Sequence, residues 1–385
     1  MGDKRVFISD IHMGCDESVA PRKPYVWFKD NAGLLAQFLD EQLEDAQVKE
    51  VIILGDLFDE WVIPTDYQSI TSFDRICSNS TNKDVVAGLE ALAGKDKLVY
   101  VPGNHDMAIT VAGIDEIKNF MENKTFPGIR FICDGDEPLG KYQDEDKILV
   151  AEHGNRYCLF NAPDTWTDPR LSFLPLGYFI SRMVAYKVST TGHQQEACSI
   201  FFDFLREILK GNQDFEEELF EAIADDCMLK PTSTIQLDGI PGCGAGMMVS
   251  DIGKRFRQLF SNWGRVPGAD YVSASEAVVG EIGDLYEAAA STYFRPESSC
   301  KVVIFGHTHE PSMRNTYKST SPDFVVDEDT ACETIYANSG TWVDYAGKCG
   351  NYVETEIDGN RLYVRVKEYP GKNVIKGYAG FIEKT

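Results

Sequence analysis

Five short apolar runs in this chain each stop at residues able to hold a cation. Val6-Phe7-Ile8, Val51-Ile52-Ile53-Leu54, Leu98-Val99-Tyr100-Val101, Ile148-Leu149-Val150 and Val302-Val303-Ile304-Phe305 have the length and continuous hydrophobicity of strands buried on both faces. The segments that follow them are Asp10-Ile11-His12, Gly55-Asp56, Gly103-Asn104-His105-Asp106, His153-Gly154 and Gly306-His307-Thr308-His309. Of the chain's 6 histidines, only His193 lies elsewhere. Between the early runs, Leu34, Leu35, Phe38, Leu39 and Leu43, then Val85, Val86, Leu89 and Leu92, recur at helical spacing and share one face. Strand alternating with helix predicts an α/β layered core. In such a sheet, residues just past the carboxyl ends of neighbouring strands converge on one crevice, so the five segments are expected around a common point.

The donor types narrow the chemistry. Carboxylate, imidazole and amide groups without thiolate favour manganese, iron, zinc or a similar divalent ion over a cysteine-type structural zinc site. Asp10-x-His12 and His307-x-His309 are pairs spaced by one residue, which leave the same side of an extended segment. A carboxylate such as Asp56 can bridge two ions at roughly 3.5–4 Å, the separation of two-metal phosphoester sites, where a bridging hydroxide is the nucleophile.

In this order, D-x-H, G-D-x-x-D, G-N-H-D, H-G and G-H-x-H resemble the motif set of the calcineurin-like metallophosphoesterases, and all five are complete. The resemblance implies a metallophosphoesterase-like β-sandwich flanked by helices. It also implies a dinuclear centre of two divalent metal ions (Mn2+, Fe2+/Fe3+, Zn2+ or similar) that hydrolyses phosphoesters. Carried over by position, Asp10, His12 and His309 would hold one ion with Asp56 bridging, and Asn104, His153 and His307 the other. His105 would be the catalytic imidazole and Asp106 its orienting partner, with Asp59 a supporting carboxylate rather than a ligand. A weaker resemblance, through Gly55-Asp56-Leu57-Phe58-Asp59-Glu60-Trp61, is to the UDP-2,3-diacylglucosamine pyrophosphatase branch, which cleaves a lipid A precursor. That branch typically has arginine where His105 stands.

After residue 156 the strand–helix rhythm stops until Val302. The expected organisation is therefore a core of residues 1–156 and 301–385 and a mainly helical insertion, 157–300, serving as a lid or substrate-specificity region. The apolar run Leu171 to Val188 reads as a core helix or subunit interface in preference to a membrane-facing lid, and Asp203 to Asp226 as an acidic helix. Gly239 to Gly246 reads as a loop, not a phosphate cradle. Thr334 to Ala337 is a further strand, and Tyr352–Ile357 with Leu362–Val366 a hairpin about Asp358-Gly359-Asn360. Arg170, Arg182, Lys254, Arg255, Arg257 and Arg265 could meet a substrate phosphate, but an ordinary surface origin is favoured for each, and His193 reads as a solvated loop residue.

Charge and cysteine usage exclude other classes. The formal charge of −24 repels phosphate backbones and anionic lipid headgroups, so general nucleic-acid binding is not expected. The 10 cysteines contain no Cys-x-x-Cys pair and read as reduced thiols, and the N-terminus reads as lacking a secretion signal, which together suggest a cytoplasmic protein. The expected partner is a small, lipid-linked or nucleotide-linked phosphodiester or pyrophosphate. A nuclease of the same family and a non-catalytic scaffold on the same fold remain the alternatives. Membrane contact and oligomeric state are left open by the sequence.

Overall fold

The continuous apolar runs become strands because both of their faces are covered. In the computed structural model the described residues are 3–15, 27–59, 61–67, 73–107, 126, 128–133, 139–164, 173–191, 215–237, 240, 244–265, 277, 285–316, 327–344 and 350–384. Strands β1 (Asp3–Ile8), β2 (Val48–Leu54), β3 (Leu98–Val101) and the two-residue β4 (Arg130–Phe131) run parallel. Parallel neighbours need crossovers. Helix α1 (Ala32–Glu44) supplies the first, and α2 (Phe73–Ser78) with α3 (Lys83–Ala93) the second.

The second sheet is built from the later segments. Its strands are β5 (Lys141–Gln143), β6 (Leu149–Glu152), β9 (Val302–Phe305), β10 (Ser312–Thr316) and β11 (Thr334–Asn338), in the order β10-β11-β9-β6-β5. Between β6 and β9 the chain forms helices α4 (Leu176–Thr191), α5 (Phe215–Asp226), α6 (Val249–Ser261) and α7 (Tyr286–Tyr293), with a small ribbon of β7 (Thr234–Gln236) and β8 (Gly246–Met248). The C-terminal strands β12 (Gly350–Asp358), β13 (Arg361–Tyr369) and β14 (Asn373–Glu383) return to the first sheet, whose order is β14-β13-β12-β1-β2-β3-β4.

Side-chain alternation assigns the layers. Phe7, Ile52, Leu54, Val99 and Val101 meet Leu149, Ala151, Val302, Ile304, Ile335 and Ala337 between the sheets. Val6, Ile8, Val51 and Ile53 point the other way, onto Leu35, Phe38 and Leu39 of α1 and Val85, Leu89 and Leu92 of α3. On the far side, Val150, Val303, Phe305 and Tyr336 cover Ala288 and Ala289 of α7. Each such fully buried large side chain contributes about 1.5–3 kcal/mol. The result is the α/β, helix-flanked β-sandwich read from the motifs.

A separate cluster joins Leu159, Phe160, Leu176, Phe179, Met183, Phe220, Ile252, Phe256 and Trp263, and Trp61 of the first segment belongs to it. Helix α4 is apolar nearly all round because it is buried on most faces, through Leu176, Tyr178, Phe179, Ile180, Met183, Ala185 and Val188. It starts later than the apolar run does, directly after Pro175, whose fixed φ and missing N–H suit a helix start. Two cations are not surface charges: Arg182 and Arg255 are buried, and their partners are protein groups. Lys254 pairs with Asp251 at the surface. Arg170, His193 and residues 203–214 lie outside the described residues.

Candidate metal centre

The strand ends of both sheets open onto one edge, and the loops leaving them are hydrogen-bonded to one another. The N–H groups of Ile11 and His12 both donate to the Asp56 carbonyl at 2.9 Å, which fixes the loop after β1 against the loop after β2. Gly55 lets these loops close up. It has φ +80°, and a Cβ there would stand 2.5 Å from the His153 imidazole. At Gly103 a side chain would collide with the Asp56 carboxylate.

The backbone at the candidate ligands occupies a region that L-residues avoid. Among the described residues nine non-glycine positions have positive φ, and five of them are Asp10 (53°), His12 (57°), Asp56 (53°), His307 (72°) and His309 (59°). Left-handed backbone costs about 1–2 kcal/mol at each such residue, so the surrounding hydrogen bonds must hold it in place.

Two donor clusters result. Asp10, His12 and His309 have ligand atoms within 4.8 Å of one another, and so do Asp56, His153 and His307. In the first, His309 Nε2 lies 3.1 Å from His12 Nε2 and 3.2 Å from Asp10 Oδ1. In the second, His153 Nε2 lies 3.2 Å from Asp56 Oδ2, 3.0 Å from Asn104 Oδ1 and 3.2 Å from His307 Nδ1. Asp56 Oδ2 also lies 3.7 Å from His12 Nε2, so this carboxylate stands between the clusters. Asp10, His12, Asp56, Asn104, His153, His307 and His309 are thus all brought together.

The donor set fits a pair of cations. Asp10 Oδ1 is buried with no hydrogen-bond partner, and ring nitrogens face each other across both clusters, His12 Nε2 and His309 Nε2 at 3.1 Å and His153 Nε2 and His307 Nδ1 at 3.2 Å. Unpaired acceptors are costly in a protein interior unless something positive lies among them. The outward nitrogens are already committed: His12 Nδ1 to Asp59 Oδ2 at 3.1 Å, and His153 Nδ1 to the Leu54 carbonyl at 2.7 Å. Such contacts set the tautomer that turns Nε2 inward.

His105 sits beside these groups, and one expectation about it needs correcting. Its Nδ1 lies 3.1 Å from Asp59 Oδ1, so the carboxylate beside the imidazole is that of Asp59 and not, as expected, that of Asp106. Asp106 instead accepts backbone N–H bonds from Asp56 (2.7 Å), Gly103 (2.8 Å) and Phe58 (3.0 Å). It joins the loops after β2 and β3, because its carboxylate turns toward the N–H groups of the turn that Asp56 opens. The indole of Trp61 stacks on the His105 ring with centroids 3.8 Å apart and planes 21° apart.

The charges shift one another. Burial opposes a charge on His153, but the Asp56 carboxylate outweighs it and raises the imidazole to about 9. Burial, with His153 beside it, lowers His307 to about 3. His105 is raised despite its burial by Asp59 and Asp56, whereas burial and the neighbouring His105 lower His12. Asp56 and Asp59 are buried, yet the surrounding imidazoles hold both below the usual carboxylate range.

Two contributors were not singled out in the sequence. The indole of Trp27 packs beside His12 and His309, with centroids 4.6 and 5.4 Å away. A sixth strand end, Asn338-Ser339-Gly340-Thr341 after β11, supports the site without metal donors. Asn338 Nδ2 donates to the Gly306 carbonyl at 2.6 Å, and Thr341 Oγ1 to that of Asp10 at 2.8 Å. Its run of small polar residues directly after an apolar strand was the available signal.

Comparison with known proteins agrees with the motif reading. A family model described as calcineurin-like phosphoesterase matches residues 4–178, a span that ends before Gly306-His307-Thr308-His309. Among solved structures, a dimetal phosphatase from Danio rerio is 11% identical over 100% of this chain and 99% of its own. The TM-score of 0.38 is too low to bear on the site. No curated protein matches. Among the described residues, no helix is long and apolar enough to cross a membrane.

Proposed function

We propose that this chain, which over residues 4–178 belongs to the calcineurin-like phosphoesterase family, hydrolyses a small, lipid-linked or nucleotide-linked phosphodiester or pyrophosphate at a dinuclear metal centre. The observation that carries the reading is the Asp56 carboxylate, 3.7 Å from His12 Nε2 on one side and 3.2 Å from His153 Nε2 on the other. Asp10, His12 and His309 would hold one divalent ion and Asn104, His153 and His307 the second, with Asp56 available to both; manganese, iron and zinc suit these donors. Bound there, the pair supplies Lewis acidity toward the phosphoryl oxygens and the acidity that makes water nucleophilic at neutral pH.

The chain's own groups do the rest. His105, kept toward its imidazolium form by Asp59, faces charge building on the phosphoryl group or protonates the departing oxygen. Trp61 and Asp59 hold that ring from its face and its edge. Asp106 ties the loops that carry Asp56 and His105. Residues 1–156 and 301–385 act as the core. Residues 157–300, whose helices share a cluster with Trp61, act as the lid or specificity region. A cytoplasmic setting agrees with Cys227 and Cys300, buried thiols outside any disulfide.

The test is a panel of phosphomonoesters, cyclic and linear phosphodiesters and nucleotide-sugar pyrophosphates, assayed with manganese, iron and zinc, alongside elemental analysis. Two bound ions and hydrolysis of a diester or pyrophosphate are expected. For His105→Ala the expected loss is about a hundredfold in kcat with metal content retained. Absence of bound metal after reconstitution, or unchanged turnover in His105→Ala, would overturn the reading.

A further inference from the structure

Arg182 stands in the middle of α4 with no accessible surface. A guanidinium in such a place must find acceptors for its five N–H groups. It finds them: Nε donates to the Ile63 carbonyl at 3.1 Å, Nη2 to those of Pro64 at 3.0 Å and Tyr67 at 2.5 Å, and Nη1 to Tyr178 Oη at 2.9 Å and to the Gln236 carbonyl. Three of these carbonyls belong to residues 63–67. That segment leaves the metal-centre motif directly: Trp61 N–H donates to Asp59 Oδ1 at 2.7 Å, and Ile63 N–H to the Trp61 carbonyl at 2.8 Å. Asp59 reaches His12 and His105, and the Trp61 indole lies on the His105 ring. An unbroken series of short contacts therefore runs from α4 to the imidazole.

We propose that Arg182 is a positioning residue, a strut through which the helical segment presses Trp61 onto His105 and sets the place of that ring beside the metal-binding clusters. The proposal rests on the functional reading above. The five-donor fork explains why arginine stands there, since an ammonium is a point charge that cannot span Ile63, Pro64 and Tyr67 together. It also explains how a segment remote from the five motifs affects the reaction without touching the substrate.

The experiment compares Arg182→Lys and the milder Tyr178→Phe, which removes one acceptor, with Arg255→Lys. Arg255 is a second buried guanidinium of the same segment, paired with Asp164 at 3.2 Å. In the metal-loaded full chain with a chromogenic phosphodiester, Arg182→Lys is expected to lower kcat about ten- to hundredfold with KM within about twofold and two ions still bound. Tyr178→Phe should give a smaller fall of the same kind. Arg255→Lys should lower thermal stability with kcat unchanged. In a Trp61→Phe background Arg182→Lys should cost nothing further, because the strut then has nothing to press.

A second readout does not depend on turnover. Imidazole quenches indole emission, so Arg182→Lys should brighten tryptophan fluorescence, and the difference should vanish in Trp61→Phe. Equal kcat losses in Arg182→Lys and Arg255→Lys at matched stability, additive losses with Trp61→Phe, or unaltered Trp61 emission would each overturn the proposal. If the wild-type protein hydrolyses none of the panel, the functional reading falls. The fluorescence comparison then still decides whether Arg182 holds the stack.

Discussion

The strand-end crevice and the helical cluster both bury charge, and they treat it in opposite ways. In the cluster, Arg182 has an acceptor for every donor, and Arg255 lies against Asp164 and the Leu174 carbonyl. In the crevice, Asp10 Oδ1 has no hydrogen-bond partner, and ring nitrogens meet at 3.1 Å between His12 and His309 and at 3.2 Å between His153 and His307. Satisfied buried charge is architecture, whereas unsatisfied buried acceptors gathered at one point are a demand for something positive. The same contrast appears in the backbone. Left-handed residues concentrate at the candidate ligands, whereas Met228 is the only non-glycine example among the described residues from 157 to 300.

The largest effect should come from breaking the demand itself. Asp56→Ala removes the carboxylate between the clusters, and turnover is expected to fall by about a thousandfold with loss of bound metal. The metal-free protein should also lose stability, because Asp56 pairs with His153 at 3.2 Å and accepts the His105 N–H at 2.9 Å. Turnover, elemental analysis and thermal unfolding in chelator check the three parts. A metal-free Asp56→Ala protein that fails to fold would show that Asp56 is structural first.

The mirror experiment lies in the cluster. Arg255→Ala leaves Asp164 without its guanidinium, and the expected cost is about 3–5 kcal/mol of stability, read by denaturant unfolding. Metal content should stay at the wild-type level. A loss of bound ions in the folded variant would erase the distinction between the two regions.

Asp59 belongs to both behaviours, and its substitution should be intermediate. It contacts His12 Nδ1 and His105 Nδ1 at 3.1 Å each and accepts the Trp61 N–H. Asp59→Asn keeps the shape but not the charge that fixes both tautomers. A ten- to hundredfold loss in metal affinity or kcat is expected. Metal titration followed by steady-state kinetics separates the two. An Asn variant indistinguishable from wild type would remove Asp59 from its orienting role and reopen the place for Asp106.

The crevice was legible in the sequence because its signal is local and repeated. Each donor follows an apolar run by a few residues, and strand-end convergence is a general property of such sheets. The hairpin about Asp358-Gly359-Asn360 was legible for a similar reason: its two strands alternate and its turn residues are diagnostic. Strand β14 was not, since Gly377 and Gly380 interrupt it and its first half is exposed at a sheet edge, which leaves no period for a pattern to show. Nor were the roles of Arg182 and Asp106. Whether a guanidinium is a surface charge or a fully satisfied buried strut depends on which carbonyls a distant loop brings to it. Whether a carboxylate faces an imidazole or a row of N–H groups is decided by the turn three residues before it, at Gly103.

The smallest prediction concerns the strain at the ligands. His309 has φ 59°, a conformation in which any side chain is uncomfortable, and its imidazole remains partly accessible, so removing it opens little cavity. His309→Ala keeps the Cβ that causes the conflict, whereas His309→Gly removes it. In the metal-free protein the glycine variant should therefore be the more stable of the two, by about 1 kcal/mol. The greater freedom of glycine in the unfolded chain works against this gain and sets its modest size. Neither variant should load the first ion normally. Were alanine the more stable, the left-handed turn would carry no strain that the ligand has to hold, and the backbone half of the contrast between crevice and cluster would fail while the hydrogen-bond half stood.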